Sequence, residues 1–183
     1  YASSEWTSGY PAATGIGTQH GGILVDFNAV KGGIEIIPLD NDWQKAAHVY
    51  SDEVLISHRT DAEKGTPKFE RGKSLSDYQC EMIYISGTAA IRGEESIVTG
   101  DVLVQTEITL ENIQHLIGLE EGREKLPEHS GKLELLRVYL KHEEDAKIVK
   151  EDMDKLCPDV PIVYLYADVC REELLVEIEG IAY

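Results

Sequence analysis

Two stretches with apolar positions at helical spacing alternate with period-2 runs, and that order constrains the fold more than any other feature of the chain. Over residues 101–117, Val102, Thr106, Thr109, Ile113, Leu116 and Ile117 recur on one helical stripe. Asp101 stands where a carboxylate can cap the free amides of a first turn, and Gly118 where a helix can stop. Over 143–156, Ala146, Val149, Met153 and Leu156 form a second stripe, ended by Cys157-Pro158. Around them lie strand-like runs at 79–86, 94–98, 133–140, 160–168 and 174–182. Such an order predicts an α+β fold, one sheet with two helices packed on one face.

The first part of the chain is less regular. Residues 1–22 carry turn formers at Gly9, Pro11, Gly15, Gly17, Gly21 and Gly22 and read as an arm. Runs at 23–30 and 34–39, separated by Lys31-Gly32-Gly33, predict a β-hairpin. A polar stretch at 57–72 reads as a linker. The expected division is therefore residues 1–65, an arm with a hairpin, and residues 66–183, a complete domain.

Charge narrows the function. Lys and Arg total 17 against 34 Asp and Glu, a net −17, which opposes binding to nucleic acid and to anionic membranes. No run approaches the ~20 apolar residues of a membrane span. The first residues lack the basic-then-apolar order of a secretion signal. Cys80, Cys157 and Cys170 form neither a disulfide framework nor a zinc spacing, so a reducing cytoplasm is the expected setting. The six histidines show no ligand spacing, and phosphate-loop, dinucleotide and serine-hydrolase motifs are absent, so no metal or cofactor is expected.

The run Leu174-Leu175-Val176-Glu177-Ile178-Glu179 puts two carboxylates on the same face of an apolar strand. They are either a solvent face, or a desolvated acid whose pKa is raised toward neutrality. Arg137 and Tyr139 share one face of the 133–140 strand and either line an anion pocket or face solvent. Cys170 is a small hydrophobe or a thiolate favoured by Arg171. Arg171 is a surface ion-pair partner of Glu172 and Glu173, or a bidentate carboxylate clamp. Arg71 is a solvated loop charge or a second clamp.

Taken in order, Ile85-Ser86-Gly87-Thr88-Ala89, Gly100-Asp101, Gln105-Thr106, Leu110-Glu111-Asn112-Ile113 and Val176 through Ala182 resemble the YjgF/Rid/UK114 family over roughly residues 68–183. The resemblance implies a chorismate-mutase-like α+β fold, a homotrimer and a site between subunits. In the Rid deaminases an arginine after a Pro-Ala pair holds the substrate carboxylate. The matching stretch here is Pro161-Ile162-Val163, and Val163 argues against 2-imino acid deamination.

The sequence is more similar still to the YjgF-like catalytic domain of chorismatases. That similarity rests on Gln44 with Ala47 and Tyr50, Pro67-Lys68-Phe69-Glu70-Arg71, Ser86-Gly87-Thr88-Ala89, Arg137-Val138-Tyr139, and Cys170-Arg171 with 174–179. Tyr10-Pro11-Ala12 and Gly15-Ile16-Gly17 resemble the later part of the preceding domain in such proteins, so the chain, which does not begin with Met, is expected to hold the tail of one domain and the whole of the next. The resemblance implies hydrolysis of the enolpyruvyl ether of chorismate, or a related small carboxylate, with release of pyruvate. Glu177 would be the general acid, with Cys170 near the substrate ring. Arg171, Arg71 and Arg137 would hold carboxylates, and Tyr139 and Tyr50 would contact the ring. A carboxylate-binding module without turnover is the alternative.

Overall fold

The computed structural model describes residues 9–19, 21–55, 65–77, 81–118 and 132–183. Its sheet contains β1 (Glu35–Leu39), β2 (Gly72–Ser76), β3 (Glu81–Thr88), β6 (Leu133–Leu140), β7 (Ile162–Tyr166) and β8 (Val176–Ala182). The strand order is β1-β2-β3-β8-β6-β7, and β4 (Ile91–Arg92) and β5 (Glu95–Ser96) pair separately. Neighbours run antiparallel except β6 and β7, which are parallel and joined through helix α2 (Ala146–Leu156). A parallel pair needs such a crossover, and the amphipathic 143–156 stretch supplies it, beginning with a short 3-10 turn at Glu143–Asp145.

Helix α1 (Val102–Leu116) starts where the capping signal stands: the Asp101 carboxylate accepts from the amides of Leu103 at 2.9 Å and Val104 at 3.4 Å. Both helices pack on the same sheet face. Ile113, Val149 and Met153 meet Ile83, Leu136, Val138, Leu140, Val176 and Ile178 in one core. The stripe of α1 carries polar side chains into that interior. Gln105 accepts from the Leu175 amide at 2.8 Å and donates to the Glu173 carbonyl at 3.0 Å. Asn112 donates to the carbonyls of Ala89 and Ile91. These bonds fix the loops entering β8 and leaving β3.

The expected 23–39 hairpin does not form. Gly32 and Gly33 take the left-handed φ a tight turn requires, at 61° and 72°. Yet residues 23–30 form no strand, and β1 pairs instead with β2, Glu35 opposite Ser76. The 57–72 linker reading also changes at its end, because Gly72 opens β2. The sequence GKSLS is a poor strand former, but between β1 and β3 both of its ladders are filled, and Lys73 and Ser74 are buried. Residues 56–64, and the first residues of the 79–86 run with Cys80, lie outside the described residues.

Replacing Asp101 with Ala removes an acceptor for two otherwise unpaired amides. We expect a loss of about 1 kcal/mol of stability with the fold retained, read from the chemical-denaturation midpoint.

Candidate active site

Alternation along β8 sends Val176 and Ile178 into the core, so Glu177 and Glu179 must lie on the opposite sheet face. On β6, Tyr139 is opposite Glu177 and Arg137 opposite Glu179. The two carboxylates have unlike surroundings. Glu179 accepts from Arg137 Nη1 at 2.7 Å and from the Tyr139 hydroxyl at 2.7 Å. Burial works to raise its pKa, but hydrogen bonds from Thr14, Arg137 and Tyr139, with the Arg137 charge, hold it below the ordinary range.

Glu177 is 6% exposed, and no hydrogen bond from the described residues reaches its carboxyl. Burial and the Glu179 charge push it up to about 7, against a smaller opposing pull from Arg71. Its close neighbour is Gly87, on β3 beside a break in the β3–β8 register. A Cβ at position 87 would collide with Glu177 Oε1 and lie 2.8 Å from Thr14 Cγ2.

The arm completes this face. The Ala13 amide donates to Ser86 Oγ at 3.0 Å, and the Gly87 amide to Thr14 Oγ1 at 2.8 Å. Gly17 and Asp168 exchange both backbone bonds, at 2.9 and 3.0 Å. Glu70 accepts from the Tyr10 amide through its carboxylate, and its own amide donates to the Pro11 carbonyl. Beneath the arm lies a groove of about 730 Å3, lined in part by Thr14, Tyr84, Arg137, Tyr139, Val163 and Glu179. Val163, on β7 opposite Arg137, is 46% exposed and brings no charge to the groove.

The other candidates come together from distant parts of the sequence. The guanidinium carbons of Arg71 and Arg171 each lie 5.5 Å from the centre of the Tyr50 ring. Arg71 is buried, not a solvated loop charge. It donates to the Lys45 carbonyl at 2.6 Å and to the Tyr50 hydroxyl, while its buried Nε has no partner among the described residues. Arg171 is also buried and donates to the Glu94 carbonyl at 2.9 Å and Ser96 Oγ at 3.0 Å. Tyr50 is held by Ala47 and Leu55, with Phe69 against them. Cys170 as a residue is exposed, yet desolvation around its sulfur and the Glu177 charge push its thiol up, against a weaker pull from Arg171. A standing thiolate is therefore disfavoured.

The structure thus sets Arg71 and Cys170 near Glu177, gathers Arg71 and Arg171 on the Tyr50 ring, and joins Arg137 and Tyr139 to Glu179. Sequence reasoning missed Thr14 and Gly87. Gly87 stood within a quoted motif; Thr14 had no signal beyond its turn-rich setting. Among the described residues, no group of three or more His, Cys, Asp or Glu side chains could hold a metal, and no helix is long and apolar enough to cross a membrane.

No family model matches the chain. It is homologous to a chorismatase of Streptomyces rapamycinicus, with 35% identity over 179 residues, covering 93% of the chain and 50% of the relative. A 3-hydroxybenzoate synthase of Streptomyces hygroscopicus is 33% identical over 185 residues, covering 94% of the chain and 50% of that protein. The chain spans about half the length of these relatives. A crystal structure of a chorismatase superposes with a TM-score of 0.69 at 27% identity, covering 95% of the chain and 51% of the other. Yeast Mmf1, at 11% identity and a TM-score of 0.53, covers 81% of the chain and 98% of its own; it shares the fold alone.

The Glu177 proton makes stability depend on pH. An unfolded Glu releases it near 4.5, whereas the folded chain keeps it to about 7. The folded state thus carries no penalty below pH 4.5 and loses stability as pH rises to about 7, by roughly 3 kcal/mol in all. Glu177→Gln removes this dependence. Wild-type minus variant stability should fall by that amount across the window in denaturation at a series of pH values, and parallel curves would mean that Glu177 titrates normally.

Proposed function

We propose, from this homology to chorismatases, that the chain carries the site of a hydrolase that cleaves the enolpyruvyl ether of chorismate, or of a related small carboxylate, and releases pyruvate. The observation that carries the reading is Glu177, a carboxyl buried on the functional sheet face with no hydrogen bond from the described residues, a setting that pushes it up to about 7. An enol ether resists hydrolysis until its terminal methylene carbon receives a proton. A carboxylic acid still in its acid form at neutral pH can deliver it.

Transfer of that proton leaves an oxocarbenium ion beside the Glu177 carboxylate. Water adds to the cationic carbon and gives its proton back to Glu177. The resulting hemiketal then breaks its bond to the ring oxygen, yielding pyruvate and the ring alcohol. Atoms and charge balance with water as the only co-reactant.

In this reading Arg71 and Arg171 hold the substrate carboxylates. The Nε of Arg71, without a partner among the described residues, supports its part, since a bound carboxylate would fill that bond. Tyr50, against both guanidinium groups, would stack on the ring. Tyr139, whose hydroxyl is pushed up by burial and by Glu179, stays a hydrogen-bond donor. Cys170 would act as a neutral thiol near the ring. Arg137 is engaged by Glu179 and is the third choice as a clamp. The reading includes a homotrimer in a reducing cytoplasm and no cofactor.

One observation favours a second reading, a carboxylate-binding module without turnover: the lining of the groove includes Arg137 but not Glu177. Incubation with chorismate, with pyruvate read through lactate dehydrogenase, separates the two. We expect pyruvate release that falls as pH rises through about 7 and drops about a hundredfold or more in Glu177→Gln. Tight chorismate binding without pyruvate would support the module and overturn the enzyme.

A further inference from the structure

Thr14, Arg137 and Tyr139 converge on a carboxylate that the proposed reaction does not itself use. Glu179 accepts 2.7 Å hydrogen bonds from both Arg137 and Tyr139 on β6, and another from Thr14 on the arm. Its side chain is 15% exposed, and that of Arg137 45%. The carboxylate is fixed well inside the surface, while its countercharge sits toward solvent and is screened. Glu177 lies two positions away on the same sheet face. We infer that Glu179 is a positioning residue: held ionised by these donors, it presents a fixed negative charge to Glu177 and so keeps the Glu177 carboxyl in its acid form. The inference deepens the reading of Glu177 as general acid and rests on it for its catalytic meaning.

The groups facing Glu177 come from every element packed against it. Glu179 is on its own strand, Tyr139 opposite on β6, and Thr14 and Gly87 close above. Arg71 lies just before β2, and Cys170 in the loop leading to β8. Of these Arg71 brings a positive charge of its own, and that of Arg137 bears on Glu177 through its ion pair with Glu179; both favour the ionised form. Tyr139 and Cys170 are neutral at pH 7. Burial and Glu179 thus act together against Arg71. The arm contributes through Thr14, whose hydroxyl accepts from the Gly87 amide and donates to Glu179. One side chain ties the glycine that admits Glu177 to the carboxylate that tunes it.

The test titrates Glu177 directly, by its protonated-carboxyl infrared band, assigned as the band lost in Glu177→Gln. In Glu179→Gln the midpoint should fall by about one pH unit, tenfold in proton affinity, and the alkaline limb of any pyruvate-release profile should fall with it. Glu179→Asp keeps the charge and should stay near the wild-type midpoint. A residue needed only for its shape would behave the other way, tolerating Gln and not Asp. Arg137→Gln, which unmasks the Glu179 charge, should raise the midpoint and serves if Glu179→Gln does not fold. An unchanged midpoint in a folded Glu179→Gln or Arg137→Gln overturns the inference, even if the wild type releases pyruvate. A wild type that releases none, with the midpoint still moving, overturns the proposed function and leaves the coupling supported.

Discussion

Strand β8 lies between β3 and β6, and its pairing with both fixes everything on the functional face. Once Val176 and Ile178 enter the core, Glu177 and Glu179 have no choice of side. A register slip by one residue would put two carboxylates against α1 and α2 and two branched apolar side chains under the arm. The cost of burying unpaired charge makes that alternative inaccessible. The core therefore specifies the site: its packing energy holds a carboxyl where water would not otherwise be excluded from it.

The same strand face then gives two chemically identical side chains opposite properties. Glu179 meets Arg137, Tyr139 and Thr14 and stays ionised. Glu177 meets Gly87 and the underside of the arm and keeps its proton. Neither sequence position nor strand face distinguishes them. The difference comes from what the neighbouring strands and the arm place opposite each one. The break in the β3–β8 ladder between Ile85 and Thr88 lies at the position where the Glu177 carboxyl needs room.

What was legible in the sequence follows from the range of the forces involved. The β6 run, the Asp101 cap and the two helices rest on local periodicity and backbone chemistry and stand at the expected residues, although Leu156, at the end of the second stripe, is exposed. Strand β2 was missed because Gly72-Lys73-Ser74-Leu75-Ser76 has no intrinsic preference for a strand; two neighbouring ladders impose it. The 23–39 hairpin failed for the converse reason. A correct turn at Gly32-Gly33 does not decide which strand the following residues join. Within the candidate site, Glu177 stood out as a carboxylate on an apolar strand, and Cys170 and Arg171 because they are adjacent in sequence. The burial of Arg71 could not be read, since it depends on Tyr50 and Lys45 far upstream. The part played by Thr14 depends on an arm crossing the sheet, which local patterning does not encode.

A chain with net charge −17 that is read as taking an anionic ligand must reverse its own field locally. Arg71 and Arg171 against one tyrosine ring supply two positive charges in a small volume, a costly arrangement unless negative charge is near. Glu177 could have served as counter-ion to Arg71, and their mutual attraction pulls in that direction. Burial and Glu179 outweigh it, so the proton stays on Glu177 and the guanidinium lacks that counter-charge. The protonation that would make Glu177 an acid thus denies Arg71 that counter-ion. In the proposed reaction, a substrate carboxylate bound there would supply the missing negative charge and bring the enol ether beside the Glu177 proton.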